Sequence, residues 1–220
     1  MTISQNIDKI LESIPENVKL VAVSKTKPKE DIFEAYEGGY KVFGENKPQE
    51  LKQKFEDLPK DIEWHFIGHL QTNKVKYIAG FVHLIHAVDS MKLLKEINKQ
   101  AIKNERVINC LLQFHIAQEE SKFGYSLQEA KDMLESEEFR TLTGINIVGV
   151  MGMATFIDNQ EQVRSEFKQL KSNFETLKSD FFNDKKDFTE ISMGMSGDYQ
   201  LAIEEGSTLV RVGSSIFGTR

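Results

Sequence analysis

Cysteine is nearly missing from this chain of 220 residues: there is one, Cys110. A lone thiol excludes an intramolecular disulfide and fits a reducing compartment. It sits within Val107-Ile108-Asn109-Cys110-Leu111-Leu112, where a packed strand residue is expected rather than a nucleophile. No apolar run approaches the length of a membrane span. At the N-terminus, Asp8, Lys9 and Glu12 are interspersed with Ile7, Ile10, Leu11 and Ile14, the pattern of an amphipathic helix and not of a signal peptide. A soluble, cytoplasmic protein is expected. Positive charge is not in excess either: 28 Lys and Arg stand against 34 Asp and Glu, a net charge of −6. That balance argues against nucleic acid or an anionic membrane as a general partner. No proline- or serine-rich linker, low-complexity tract or internal repeat divides the chain, so one domain is expected over residues 1–220. Among the five histidines no cluster has zinc-ligand spacing. His83 and His86, three apart in one expected strand, point to opposite faces, and no metal site is expected.

What the chain does have is alternation. Strand-like runs are expected at 18–24, 40–44, 63–68, 81–88, 107–116, 145–153, 188–193 and 209–212, with helical stretches between them. Strict alternation of strands and helices implies a parallel sheet under helical cover. Eight such units favour a (β/α)8 barrel of the TIM type with an extra N-terminal helix; an open doubly wound sheet is the runner-up. The barrel is preferred because no Gly-rich dinucleotide fingerprint follows the first strand.

Functional groups of such a barrel gather where strands leave its C-terminal face. The residues just past the expected strands are Lys25, Asn46, Gly68-His69, Asp89, His115, Met153-Ala154-Thr155, Met195-Ser196-Gly197-Asp198 and Gly213-Ser214-Ser215. Loops after the seventh and eighth strands are the usual phosphate site of this architecture. Ser196, Gly197, Gly213 and Ser214 suit that task, since small residues let backbone N–H groups approach and hydroxyls add donors. Lys25 ends the apolar run Leu20-Val21-Ala22-Val23-Ser24-Lys25, where desolvation favours a neutral amine. A phosphate cradle and a strand-end lysine together form the pattern of pyridoxal phosphate held as a Schiff base. Arg211, two residues before Gly213, is placed to lie beside the cofactor ring.

Ala22-Val23-Ser24-Lys25-Thr26-Lys27-Pro28 resembles the lysine motif of the pyridoxal phosphate homeostasis proteins, relatives of the alanine racemase N-terminal domain. Phe43-Gly44-Glu45-Asn46, Trp64-His65-Phe66-Ile67-Gly68, Leu70-Gln71-Thr72-Asn73-Lys74 and Ser121-Lys122-Phe123-Gly124 match further motifs. So do Ser192-Met193-Gly194-Met195-Ser196-Gly197-Asp198 and Arg211-Val212-Gly213-Ser214-Ser215-Ile216-Phe217-Gly218, so the likeness runs nearly end to end. It implies pyridoxal phosphate on Lys25, its phosphate on Ser196, Gly213 and Ser214, its ring nitrogen facing Arg211, and Asn46 lining the ring. Lys47 and His69 depart from the family, which usually has tyrosine and often proline there; Lys122 matches a family lysine.

The implied function is a carrier that buffers pyridoxal phosphate and delivers it to apo-enzymes with little or no catalysis; a monomer is expected. One alternative is an amino-acid racemase. Racemisation needs an acid/base group on each face of the substrate carbon, and alanine racemases take the second from a β-domain that is not expected here. A Schiff-base aldolase acting on a sugar phosphate is a third reading, which Arg211 and the motifs oppose.

Overall fold

In the computed structural model, which describes residues 2–118 and 123–218, eight parallel strands close into a barrel in chain order. They are β1 (Lys19–Val23), β2 (Val42–Glu45), β3 (Glu63–Phe66), β4 (Leu84–Val88), β5 (Ile108–Phe114), β6 (Ile145–Gly152), β7 (Glu190–Met195) and β8 (Leu209–Val212). Closure comes from β8 pairing in parallel with β1, Leu20 opposite Val210 and Ala22 opposite Val212. The barrel expected from the alternation is therefore the observed one.

The helices are α1 (Ile3–Ser13), α2 (Lys29–Glu37), α3 (Pro48–Asp57), α4 (Met91–Lys103), α5 (Leu127–Glu135), α6 (Glu137–Arg140), α7 (Gln160–Phe181), α8 (Tyr199–Glu204) and α9 (Ser214–Phe217), with a 3-10 turn at Thr72–Tyr77. α1 is the expected extra helix. A capping box between Thr2 and Gln5 starts it, and its buried Ile7 and Ile10 pack into the outer core. Asn6 Nδ2 donates to the Ile216 carbonyl at 2.8 Å, tying α1 to the last helical turn.

Because side chains alternate along a strand, each strand serves two cores. Outward residues such as Phe43, Trp64, Phe66 and Ile85 meet the helices in one large cluster. Inward residues Val21, Leu84, Leu111, Val148, Met151 and Leu209 form a smaller one inside the barrel. Polar side chains also enter the interior: His65, His86, Ser192 and Arg211 are all buried.

Three local expectations are corrected. Phe81–His83 is not strand, because Ile78–Val82 continues in turns, with the N–H groups of Phe81 and Val82 both donating to the Ile78 carbonyl. The helical stretch expected between the fifth and sixth strands is not continuous but breaks at Ser136, whose extended backbone and hydroxyl cap a separate turn through Phe139 N–H. Gly213-Ser214-Ser215, expected as an open loop, instead opens α9.

Candidate functional site

Where β1 ends, the chain must leave the sheet and carry Lys25 across the barrel mouth. Ser24 is buried, and its hydroxyl donates to Glu45 Oε1 at 2.6 Å. Lys54, from α3, donates to that same oxygen at 2.7 Å, to the Ser24 carbonyl at 2.9 Å and to Glu50 Oε1 at 2.8 Å. Glu50 Oε1 accepts the Thr26 N–H at 2.7 Å. Thr26 has φ +64°, a left-handed conformation that a β-branched residue adopts only under constraint. The constraint is visible on both sides, since the Lys27 N–H closes the turn onto the Ser24 carbonyl at 3.0 Å. A buried triad of Glu45, Glu50 and Lys54 thus sets the backbone that presents Lys25.

The two carboxylates of this triad titrate in opposite directions. Burial pushes Glu45 above the ordinary carboxylate range, with Lys54 and Ser24 only partly offsetting it. For Glu50 burial is outweighed by the hydrogen bonds from Lys54 and Thr26, and the net shift is downward. A carboxylate lowered in the folded state contributes stability above its unfolded value, lost as pH falls through the folded one. The stability gap between wild type and Glu50→Gln is therefore expected to be full above about pH 4.5, the ordinary value for this group, and to close as the pH drops further. Thermal melts of both proteins across that interval check it.

Lys25, Asn46, Ser196, Arg211, Gly213 and Ser214 line one cavity of about 450 Å³ at the C-terminal end of the barrel. Arg211 is expected from its place inside the eighth strand, two residues before Gly213, and the others from their places after a strand. Gly197 is the exception: it lies in a neighbouring surface depression with Ser215 and Tyr199, and no atom comes within 4 Å of where its Cβ would stand. Its neighbour Ser196 bridges the two depressions. The Gly213 N–H donates to Ser196 Oγ at 3.1 Å, which joins the ends of β7 and β8 into one cradle. Gly194, at φ +92°, bends β7 just ahead of this cradle; a Cβ there would lie 2.6 Å from Ala202 Cβ. Asp198 then holds the Met195 N–H at 2.5 Å.

Asn46 lines the opposite wall, and its buried Oδ1 accepts no hydrogen bond. It is packed tightly by Gly68, where a Cβ would stand 2.6 Å from the Asn46 carbonyl oxygen and 2.8 Å from its Cβ. Gly68→Ala is expected to destabilise the fold by about 1–3 kcal/mol, the usual range for overpacking, and to displace Asn46. A denaturant titration checks the first effect and ligand affinity the second.

Arg211 is buried, and its position comes from strands across the barrel. Nη1 donates to Ser192 Oγ at 2.5 Å and Nη2 to the Gly152 carbonyl at 3.1 Å. Burial pushes it down to about 10, with Asp198 opposing, so the guanidinium is still charged at neutral pH. Ser192 Oγ lies 2.8 Å from His86 Nδ1, and His86 Nε2 lies 2.9 Å from His65 Nδ1. Burial holds both imidazoles well below their usual range, so both are neutral at physiological pH. An arginine only donates, while a hydroxyl oxygen can accept twice, so the chain of hydrogen bonds can run from Ser192 through His86 to His65 or in the reverse direction, according to the tautomers of the two imidazoles.

Sequence reasoning missed His86, Ser192, Gln113, Glu50 and Lys54. Gln113 lines the cavity from β5, and its amide donates to the Phe123 carbonyl at 2.8 Å. Its signal was available, since it sits at a strand end. Asp89 supports His69 instead: His69 Nδ1 lies 3.0 Å from Asp89 Oδ2, and the imidazole stacks on Phe123 at 4.2 Å, both ring-bearing residues lining the cavity. His115 is exposed and does not line it; Met153 and Met195 do. Ser121 and Lys122 lie outside the described residues.

The chain matches the alanine racemase N-terminal domain over residues 1–220. It is 41% identical to the pyridoxal phosphate homeostasis protein of Aquifex aeolicus, over 92% of this chain and 87% of that protein. To the human protein of the same name it is 38% identical, over 92% of this chain and 76% of that one. PipY of Synechococcus elongatus, solved with PLP bound, superposes with a TM-score of 0.88 at 32% identity, covering 99% of this chain and 100% of PipY. An alanine racemase from E. faecalis shares the fold at a TM-score of 0.72 and 14% identity, with 99% of this chain matching 58% of the enzyme. A full-length family match and close relatives under one name lead to one assignment: this chain belongs to the alanine racemase N-terminal domain family, among the pyridoxal phosphate homeostasis proteins.

Proposed function

We propose that the cavity holds pyridoxal 5′-phosphate as a Schiff base on Lys25, and that the protein buffers and delivers this cofactor to apo-enzymes with little or no catalysis of its own. The observation that carries the reading is the meeting, in one cavity, of a strand-end lysine, a Ser/Gly cradle and a buried arginine. A volume of about 450 Å³ suits a ligand of that size. The residues also fit it chemically: the buried Asn46 Oδ1 accepts no hydrogen bond, and Gly213 lies so close to β1 that a Cβ there would stand 3.1 Å from the Val23 carbonyl oxygen. PipY, similar over its whole length, binds PLP.

When bound, the cofactor supplies an aldehyde carbon and an electron-withdrawing ring. Lys25 would hold it through a carbon–nitrogen bond from its amine. Ser196 and Ser214 would hold the phosphate beside the Gly213 backbone, while Asn46 and His69 would border the ring. Arg211, still charged and fixed by Ser192 and Gly152, would lie at the ring nitrogen and disfavour its protonation. That weakens the ring as an electron sink, which suits a carrier better than a racemase.

Ser196→Ala and Ser214→Ala are each expected to raise the dissociation constant for pyridoxal phosphate by about tenfold to a hundredfold, the worth of a hydrogen bond to a charged group. Equilibrium titration checks this, with pyridoxal lacking the phosphate as the control that should lose the difference. Incubation of the loaded protein with L- or D-alanine should leave the enantiomers unchanged, whereas rapid racemisation would overturn the carrier reading. Transfer of the cofactor to an apo-enzyme, followed by that enzyme's activity, tests delivery. The single barrel is proposed as the whole working unit, monomeric and cytoplasmic; among the described residues no helix is long and apolar enough to cross a membrane.

A further inference from the structure

The hydrogen-bond chain that begins on Arg211 does not end inside the barrel. It ends on His65 Nε2, at the side away from the cavity, and that nitrogen is buried and has no partner. His65 itself is 1% exposed, so water does not readily replace the missing partner. Beside it is a second polar atom without a hydrogen bond, Glu63 Oε2, two residues earlier on the same inward face of β3. His83 completes the group. It precedes β4, its N–H is held by the Trp64 carbonyl at 2.9 Å, and its ring stacks on His65 at 5.5 Å. One ligand atom from each of Glu63, His65 and His83 lies within 4.8 Å of the others.

We infer that the N-terminal mouth of the barrel carries a site for a zinc-class divalent cation, ligated by Glu63, His65 and His83. Two imidazoles and one carboxylate are a donor set for Zn²⁺ rather than for Mg²⁺ or Ca²⁺, and a fourth position toward solvent is left for water. Access is from the side of His83, whose side chain is 44% exposed, while Glu63 Oε2 and His65 Nε2 are themselves buried. The His65 and His83 rings are only 11° from parallel, so ligation turns the half-exposed His83 ring out of the stack, with Glu63 shifting to bring its oxygen to zinc distance. The rear of the site is already built, because His65 Nδ1 is held by His86, the kind of outer contact that orients a ligating histidine.

Ligation needs the lone pair of His65 Nε2. The buried chain accommodates this without a charged imidazole in the tautomers where His65 Nδ1–H donates to His86 Nε2, and His86 Nδ1–H to Ser192 Oγ. The cation has one competitor, Lys19, whose ammonium is 3.6 Å from Glu63 Oε2 and would swing outward. The sequence reading excluded a metal because it compared histidines within one strand. The cluster instead joins β3 to the turn before β4, and it appears only once His83 is seen to precede the strand. In this fold the N-terminal face serves stability rather than chemistry, so the ion would clamp β3 against the start of β4.

The test uses the full chain and ZnCl2. Calorimetric titration is expected to show one equivalent bound, with His83→Ala and Glu63→Gln each weakening binding by at least about tenfold. Saturating Zn²⁺ should raise the melting temperature of the wild type by several degrees and leave that of His83→Ala unmoved. Long-range proton–nitrogen NMR should place the His65 proton on Nδ1 once Zn²⁺ is added. His69→Ala serves as a control for the His69–Asp89 pair at the other mouth, and it should bind as the wild type does. No saturable binding, or binding lost only in His69→Ala, overturns the inference. None of these readouts involves pyridoxal phosphate, so the inference stands or falls apart from the proposed function.

Discussion

Lys25→Ala is expected to abolish the visible absorption band that pyridoxal phosphate should develop with the wild-type protein. This is the largest functional effect expected of any single substitution, because the band requires a carbon–nitrogen double bond and, among the described residues, Lys25 and Lys27 are the lysines that line the cavity. Lys27, the other lysine lining the cavity, is committed elsewhere: its Nζ donates to the carbonyls of Phe217 and Gly218, at 2.8 and 3.2 Å. Residual binding through the Ser196–Gly213 cradle is expected in the variant, as weak and colourless association. The variant should still fold without ligand, because the backbone of the turn is held at Ser24, Thr26 and Lys27. A variant that remained yellow would remove Lys25 from its role. A wild type that never coloured would sink the cofactor reading altogether and bring the Schiff-base lyase forward.

Lys54→Met is expected to produce the largest loss of stability among the substitutions considered. Lys54 and Glu45 are 6% and 0% exposed, so removing the ammonium strands a carboxylate that water cannot reach. Breaking a buried ion pair from one side costs about 3–5 kcal/mol. For a chain of this length that lowers the melting temperature by roughly 6–20 °C. Glu45→Gln in the Lys54→Met background should recover part of the loss, since an amide needs no counter-charge and still accepts from Ser24. The same variant should bind pyridoxal phosphate more weakly and load it more slowly, because Thr26 loses the partner that fixes Glu50 beneath it. Melts and loading kinetics, with and without the Glu45→Gln rescue, check both halves. A Lys54→Met protein as stable as the wild type would show that the triad is not what sets the turn.

The residues most legible in the sequence were those whose role follows from position along a strand. Lys25, Asn46, Ser196, Gly213 and Ser214 stand one or two residues past a strand end, and parallel strands in one barrel all end at the same mouth. Gly197 shows the limit of that rule, for one residue further along the chain turns onto the outer surface. His83 shows another: placed inside a strand it faces away from His86, but one residue outside the strand its ring is released toward Glu63.

Chain order therefore determined the class of architecture. Alternating apolar strands and amphipathic helices bury both faces of a parallel sheet, as an open doubly wound sheet or as a barrel; here the sheet closes, and closure brings the strand-end residues together whatever their spacing in sequence. Tertiary structure alone decided which polar groups meet inside. His65, His86, Ser192 and Arg211 come from four strands, and Glu45, Glu50 and Lys54 come from a strand and the helix that follows it. Periodicity records which face a residue takes, but not its height in the barrel or the partner across it. Those depend on the register of each strand pair and on its bulges, as between Ser192 and Met195 or Ile85 and Val88. One residue of register exchanges the inside of a barrel for its outside, and register is a property of the closed sheet, not of any one strand.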